Sequence, residues 1–155
     1  MVNEAQLQAA CCDLVAEVTR VSGKIQLRVA GASMVPALWP GDQVTVRPID
    51  LSELEPDSII VFRQSQRLVV HRVMRRVGDC IVARGDARPG CDRPAQASEI
   101  VGRVEAIRRN GRPVRLQPRL WQRAAAFVLR QSESCTRVFL RLGPWIQKTG
   151  YAEAA

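Results

Sequence analysis

SIIVFRQSQRLVVHRV, residues 58–73, places two β-branched runs, Ser58–Phe62 and Leu68–Val73, close together in the chain. Branched side chains lose little freedom on a pleated surface and fit it well. The same texture extends from Lys24 to about Glu105, through Ile25–Val29, Gln43–Val46, Cys80–Ala83 and Ile100–Ala106. Pro40-Gly41-Asp42, Pro56-Asp57, Gly78-Asp79, Gly85-Asp86 and Pro89-Gly90 separate the runs. Short strands with such punctuation predict an open antiparallel β-domain. Asn110-Gly111 predicts a two-residue hairpin turn into a short strand near Val114–Leu116.

Outward from this core the texture becomes helical on both sides. Over residues 4–20, Leu7, Cys11, Leu14, Val15 and Val18 share one face, which predicts an amphipathic helix packed on the body and ended by Gly23. Beyond Pro118, Leu120, Trp121, Ala124, Phe127 and Val128 form one stripe, and Cys135, Val138, Phe139, Leu142, Trp145 and Ile146 a second. The expected organisation is an N-terminal helix (1–22), a β-domain (23–117) and a basic amphipathic helical segment (118–155), mainly β and α+β overall.

At 155 residues the chain suits a single modest core. Its 23 Lys+Arg against 15 Asp+Glu leave a charge of +8, carried almost wholly by arginine, since Lys24 and Lys148 are its only lysines. Between Arg115 and Lys148 seven basic residues face one acid, Glu133. That balance makes an anionic membrane surface a candidate partner for 119–148. Nucleic acid is not expected, because the basic residues of the β-region are not interleaved with aromatics for stacking. The five cysteines form no CxxC pair and there is one histidine, so neither a zinc site nor another cofactor is expected. No apolar run reaches the ~18–20 residues that span a bilayer. Glu4, Asp13 and Glu17 interrupt the start, where a secretory signal has a basic end and an uncharged core. The expected location is cytoplasmic, with a peripheral position at the membrane as the alternative.

Three stretches carry chemistry. In Gly31-Ala32-Ser33-Met34-Val35-Pro36-Ala37-Leu38, followed by Gly41-Asp42, a serine lies between small residues and a Met-x-Pro turn. That setting suits a nucleophile whose own N–H helps to hold an oxyanion, although most loop serines simply bond nearby backbone. In Leu68–Val73 the only histidine, His71, alternates with Val69 and Val73 on a face expected to be buried, as a core histidine or as the one imidazole available as a base. In Ala83-Arg84-Gly85-Asp86 through Cys91-Asp92, two acids lie six residues apart across a Pro-Gly turn. Either can orient an imidazole from a neighbouring strand.

Together, in this order, the three stretches resemble the boxes of the type I signal peptidases and of the wider clan that includes the LexA-type self-cleaving repressors. The resemblance spans about residues 29–105. It implies an open β-rich fold and a serine endopeptidase that cleaves an extended peptide or protein segment after small residues. It further implies Ser33 as nucleophile and His71 as base, as in the archaeal and endoplasmic-reticulum branch. Asp92, ahead of Asp86, holds the imidazole, and Gly31, Met34 and Pro36 join Ser33 around the oxyanion and substrate. Three features depart from the family pattern, one of them a short chain without a large inserted cap. The usual N-terminal membrane anchor is not found, and Gly31 stands where a serine often assists the oxyanion hole. The rival reading is an inactive member that binds anionic membrane, nucleic acid or a protein partner. The intact set Ser33, His71, Asp86 and Asp92 counts against it.

Overall fold

A computed structural model describes residues 3–116. The expected C-terminal helical segment, 118–155, with both its apolar stripes, lies outside the described residues. The architecture is mainly antiparallel β with one N-terminal helix, as the strand texture predicts.

Helix α1 runs Glu4–Ser22. Asn3 caps it: its side chain accepts from Ala5 N–H at 3.4 Å, and Gln6 reaches back to accept from Asn3 N–H at 3.1 Å. Gly23, at φ 71°, ends it in the left-handed conformation that favours glycine. The face that packs differs from the expected one. Cys12 and Thr19 are buried, and Val15 and Ala16 pack on the core. Leu7, Leu14 and Val18 face solvent instead. The helix carries two apolar stripes about a third of a turn apart, and the one with smaller side chains approaches the sheet. The Thr19 hydroxyl donates to Val15 O at 2.6 Å, so its burial leaves no polar group unpaired. Cys12 Sγ bonds Gln66 O at 3.3 Å and Asp13 pairs with Arg63 at 2.5 Å, tying α1 to the neighbouring hairpin.

The strands are β1 (Ile25–Arg28), β2 (Gln43–Arg47), β3 (Ile59–Gln64), β4 (Arg67–Val77), β5 (Cys80–Arg84), β6 (Ala95–Gln96), β7 (Ile100–Arg109) and β8 (Arg112–Val114). They form one antiparallel sheet in the order β1-β2-β7-β3-β4-β5-β6. β7 is the long central strand. It pairs with β2 over Arg103–Arg108 and with β3 over Ile100–Arg103. Ile107 pairs with both Val44 and Val114, so β8 takes the edge of β7 that β3 leaves. Two-residue turns close three hairpins: Gly78-Asp79 and Asn110-Gly111, both read as turns from the sequence, and Ser65-Gln66, where both residues adopt positive φ (48° and 63°) without a glycine. β6 has no counterpart in the sequence reading, because two residues after Pro94 carry no periodicity.

Alternation along β3 divides the core. Ile59 and Val61 join Val44, Val46, Val104 and Ile107 in one cluster, while Ile60 and Phe62 join Val73, Ile81 and Ala83 in the other. β3 is thus buried on both faces, which is why it reads as a continuous apolar run. Crowding at the centre sets a testable limit. A Cβ on Gly102 would lie 2.2 Å from the Arg47 carbonyl oxygen. Gly102→Ala should lower stability by about 1–3 kcal/mol, as overpacking does, seen as a lower denaturant midpoint at unchanged slope. An unchanged midpoint would show that the β2–β7 contact yields freely.

Candidate active site

The serine loop leaves β1 and returns as β2. Its ends are clamped by Val29 N–H to Asp42 O at 2.8 Å and Gly41 N–H to Val29 O at 2.7 Å. Inside, Val35 N–H donates to Ala32 O and Leu38 N–H to Met34 O, and the turns bury Met34 through Trp39. Asp42, 1% exposed, accepts from Trp39 N–H at 2.8 Å and from Arg109 Nε and Nη2 at 2.8 and 2.7 Å. The Arg109 guanidinium lies 5.9 Å from the Trp39 ring centroid. A bidentate pair at the end of β7 therefore holds the loop that carries Ser33.

His71 lies in the middle of β4, opposite Ile60 of β3, with the Phe62 ring 6.1 Å away between centroids. It is 3% exposed. Its Nε2 is 2.9 Å from Ser33 Oγ and its Nδ1 is 2.5 Å from Asp92 Oδ2. An ionised carboxylate only accepts, so Nδ1 carries the proton and donates to Asp92, leaving Nε2 to accept from the Ser33 hydroxyl. The network thus selects the tautomer that a proton-accepting imidazole needs. Asp92 is placed by its own N–H, which donates to Ala83 O at 2.9 Å beside the end of β5.

The second acid is placed differently. Asp86, 6% exposed, accepts from Arg72 Nε at 2.8 Å and Nη2 at 2.7 Å, and Arg72 Nη1 donates to Asp57 O at 2.9 Å. Burial works against the Arg72 charge, but the hydrogen bonds and charge of Asp86 outweigh it and raise the guanidinium pKa. Between these groups runs Gly85, where a Cβ would lie 2.6 Å from Ser33 O and 3.0 Å from His71 Nε2. Only a glycine lets this segment come so close, and Ala87 N–H then donates to Ser33 O at 2.9 Å.

A groove of about 590 Å³ opens over the serine. Gly31, Ser33, Met34, His71 and Asp92 line it, with Leu27–Ala30 along one side and Leu68–Val70 along the other. Asp86 and Pro36 are not part of its lining. Pro36 is buried in the loop, and its carbonyl accepts from Trp39 Nε1 at 3.1 Å. Lys24, the one lysine among the described residues, is exposed and lies outside the groove. Among the described residues no group of three or more His, Cys, Asp or Glu side chains could hold a metal.

Sequence reasoning missed Arg72, Gly85 and Arg109. Arg72 had a faint signal, an arginine inside an otherwise apolar strand. Gly85 read only as a turn, and the pairing of Arg109 with Asp42 spans 67 residues.

An antiparallel β-domain carrying a serine beside an imidazole and a carboxylate belongs to the serine peptidase-like class. The sequence matches the model of the Peptidase S24-like family over residues 4–104, and the chain belongs to that family. This membership places it in the clan that joins the LexA-type proteins to the signal peptidases. No match is found among curated proteins. None of the described helices is long and apolar enough to cross a membrane.

The two acids should separate in experiment. Asp86→Asn removes the counter-charge of a buried arginine and should cost about 3–5 kcal/mol of stability. Asp92→Asn, at a more open position, should shift the unfolding midpoint less. Equal shifts would mean that the Arg72 pair contributes nothing special.

Proposed function

We propose that the chain is a serine endopeptidase that acts through Ser33, His71 and Asp92. The observation that carries this reading is the continuous hydrogen-bond path from Asp92 through both ring nitrogens of His71 to Ser33 Oγ. In the forward step Ser33 Oγ attacks the scissile carbonyl carbon while His71 Nε2 takes the hydroxyl proton, and Asp92 stabilises the resulting imidazolium. Collapse of the tetrahedral adduct returns that proton to the leaving amine and leaves an ester on Ser33. Water, deprotonated in turn by His71, hydrolyses the ester.

The oxyanion would be held by backbone N–H groups. Ser33 N–H donates to no other backbone carbonyl among the described residues, and Gly31 supplies no hydroxyl. The substrate is an extended protein or peptide segment. β1 is an edge strand and its continuation through Ala30 and Gly31 walls the groove, which suits pairing with an added strand. Cleavage after small residues, and a histidine in place of lysine as base, follow from the signal peptidase resemblance. The second is supported by the place of Lys24, the one lysine among the described residues, outside the groove lining.

A serine-directed fluorophosphonate should label the protein at Ser33. Ser33→Ala should abolish both labelling and turnover, and Asp92→Asn should lower turnover by about 10²–10⁴ through loss of the productive tautomer. His71→Ala should abolish turnover as fully as Ser33→Ala does, and the double variant should be no slower than either single one, since residues that act as a unit are not additive. Near-full turnover by His71→Ala would remove His71 as the base.

A further inference from the structure

The outward face of α1 is an apolar surface that the described fold leaves uncovered. Leu7 is 59%, Leu14 64%, Val18 40% and Val21 72% exposed, and Cys11 is exposed among them. Among the described residues the only other exposed large hydrophobic is Val77. At 100° per residue these five positions fall on one continuous stripe, about 21 Å from Leu7 to Val21 at 1.5 Å per residue. Glu4 and Glu17 flank it on either side, Glu17 also pairing with Arg20 at 2.7 Å.

We propose that this stripe is the docking surface for the C-terminal segment of the same chain, residues 119–146. Three observations choose that occupant. The described chain ends at Leu116, which packs on the same core cluster as Val15 and Ala16 of α1, so the segment departs from the cluster on which α1 lies. The segment carries its own apolar positions, Cys135, Val138, Phe139 and Leu142 ahead of Gly143-Pro144, which would span about 11 Å at helical rise and so fit within the length of the surface. Its flanks are almost wholly arginine, whereas Glu4 and Glu17 border the α1 stripe, so the charges are complementary in this pairing. The same acidic border opposes an anionic lipid surface. The inner, small-residue face of α1 then holds the sheet while the outer face receives the segment. The helix is buried on two sides, as its two apolar stripes require.

Native cysteines report on this arrangement in the full chain. Cys11 sits in the stripe, Cys91 is exposed elsewhere and Cys12 is buried on the inner face of α1. Maleimide modification in lipid-free buffer, followed peptide by peptide, should be about tenfold or more slower at Cys11 than at Cys91, since thiol reactivity follows exposure. Phe139→Asp with Leu142→Asp should bring Cys11 close to the Cys91 rate while Cys12 stays protected, which shows that the body remains folded. Leu14→Asp, at an exposed position, should release Cys11 in the same way from the other partner. Equal rates at Cys11 and Cys91 in the unaltered chain would overturn the proposal. So would protection that survives both sets of substitutions. Protection that fades on dilution would assign the stripe to a second copy, and protection seen only with anionic phosphatidylserine vesicles would assign it to a membrane.

Discussion

Arg72 and Asp86 form a bidentate ion pair in the interior, and the geometry around Ser33 depends on it. Two charges removed from water cost several kcal/mol each unless their hydrogen bonds are met. Here both carboxylate oxygens and all three guanidinium nitrogens are engaged, Nη1 by Asp57 O. The pair joins the strand that carries His71 to the segment that follows β5. That segment brings Gly85 against Ser33 and His71 and then leads to Asp92. A loop that held the orienting acid without this tie would be free to swing away from the imidazole.

A second buried pair does the same for the nucleophile. Asp42 lies at the foot of the serine loop and Arg109 at the far end of β7, and their bidentate contact fixes the loop between β1 and β2. The two halves of the site thus rest on different arginines, each anchored in the sheet. Neither arginine touches the groove. They act through the residues they hold, fixing the backbone that carries Ser33 and the segment that carries Asp92 from outside the groove. A preorganised arrangement of this kind is what transition-state stabilisation by fixed dipoles demands.

The acids illustrate how similar residues acquire different work. Asp86 and Asp92 both lie between β5 and β6, Asp86 in a turn and Asp92 beyond it, and composition cannot separate them. The fold sends one inward to a guanidinium and the other to an imidazole that also reaches Ser33. Family membership in the Peptidase S24-like group agrees with the β-architecture, and the hydrogen-bond geometry then says which residues of that architecture meet.

By itself the sequence determined the strand texture, because β-branched alternation and Gly/Pro punctuation are local properties. The runs around 25, 43, 59, 68, 80 and 100 each became a strand, and Asn110-Gly111 became a hairpin turn because its backbone needs positive φ. It also marked Ser33, His71, Asp86 and Asp92 as the residues with chemistry to offer. Tertiary structure alone decided the rest. Which stripe of α1 meets the sheet depends on how closely small side chains let the helix approach, and periodicity cannot rank two stripes. The turn at Ser65-Gln66 is imposed by the register of β3 on β4 and not by turn-forming residues. The choice between Asp86 and Asp92, and the partners of Arg72 and Arg109, rest on contacts between residues far apart in the chain. Such contacts exist only once the sheet has closed, since burial, not local propensity, gives a charge its reason to find a partner.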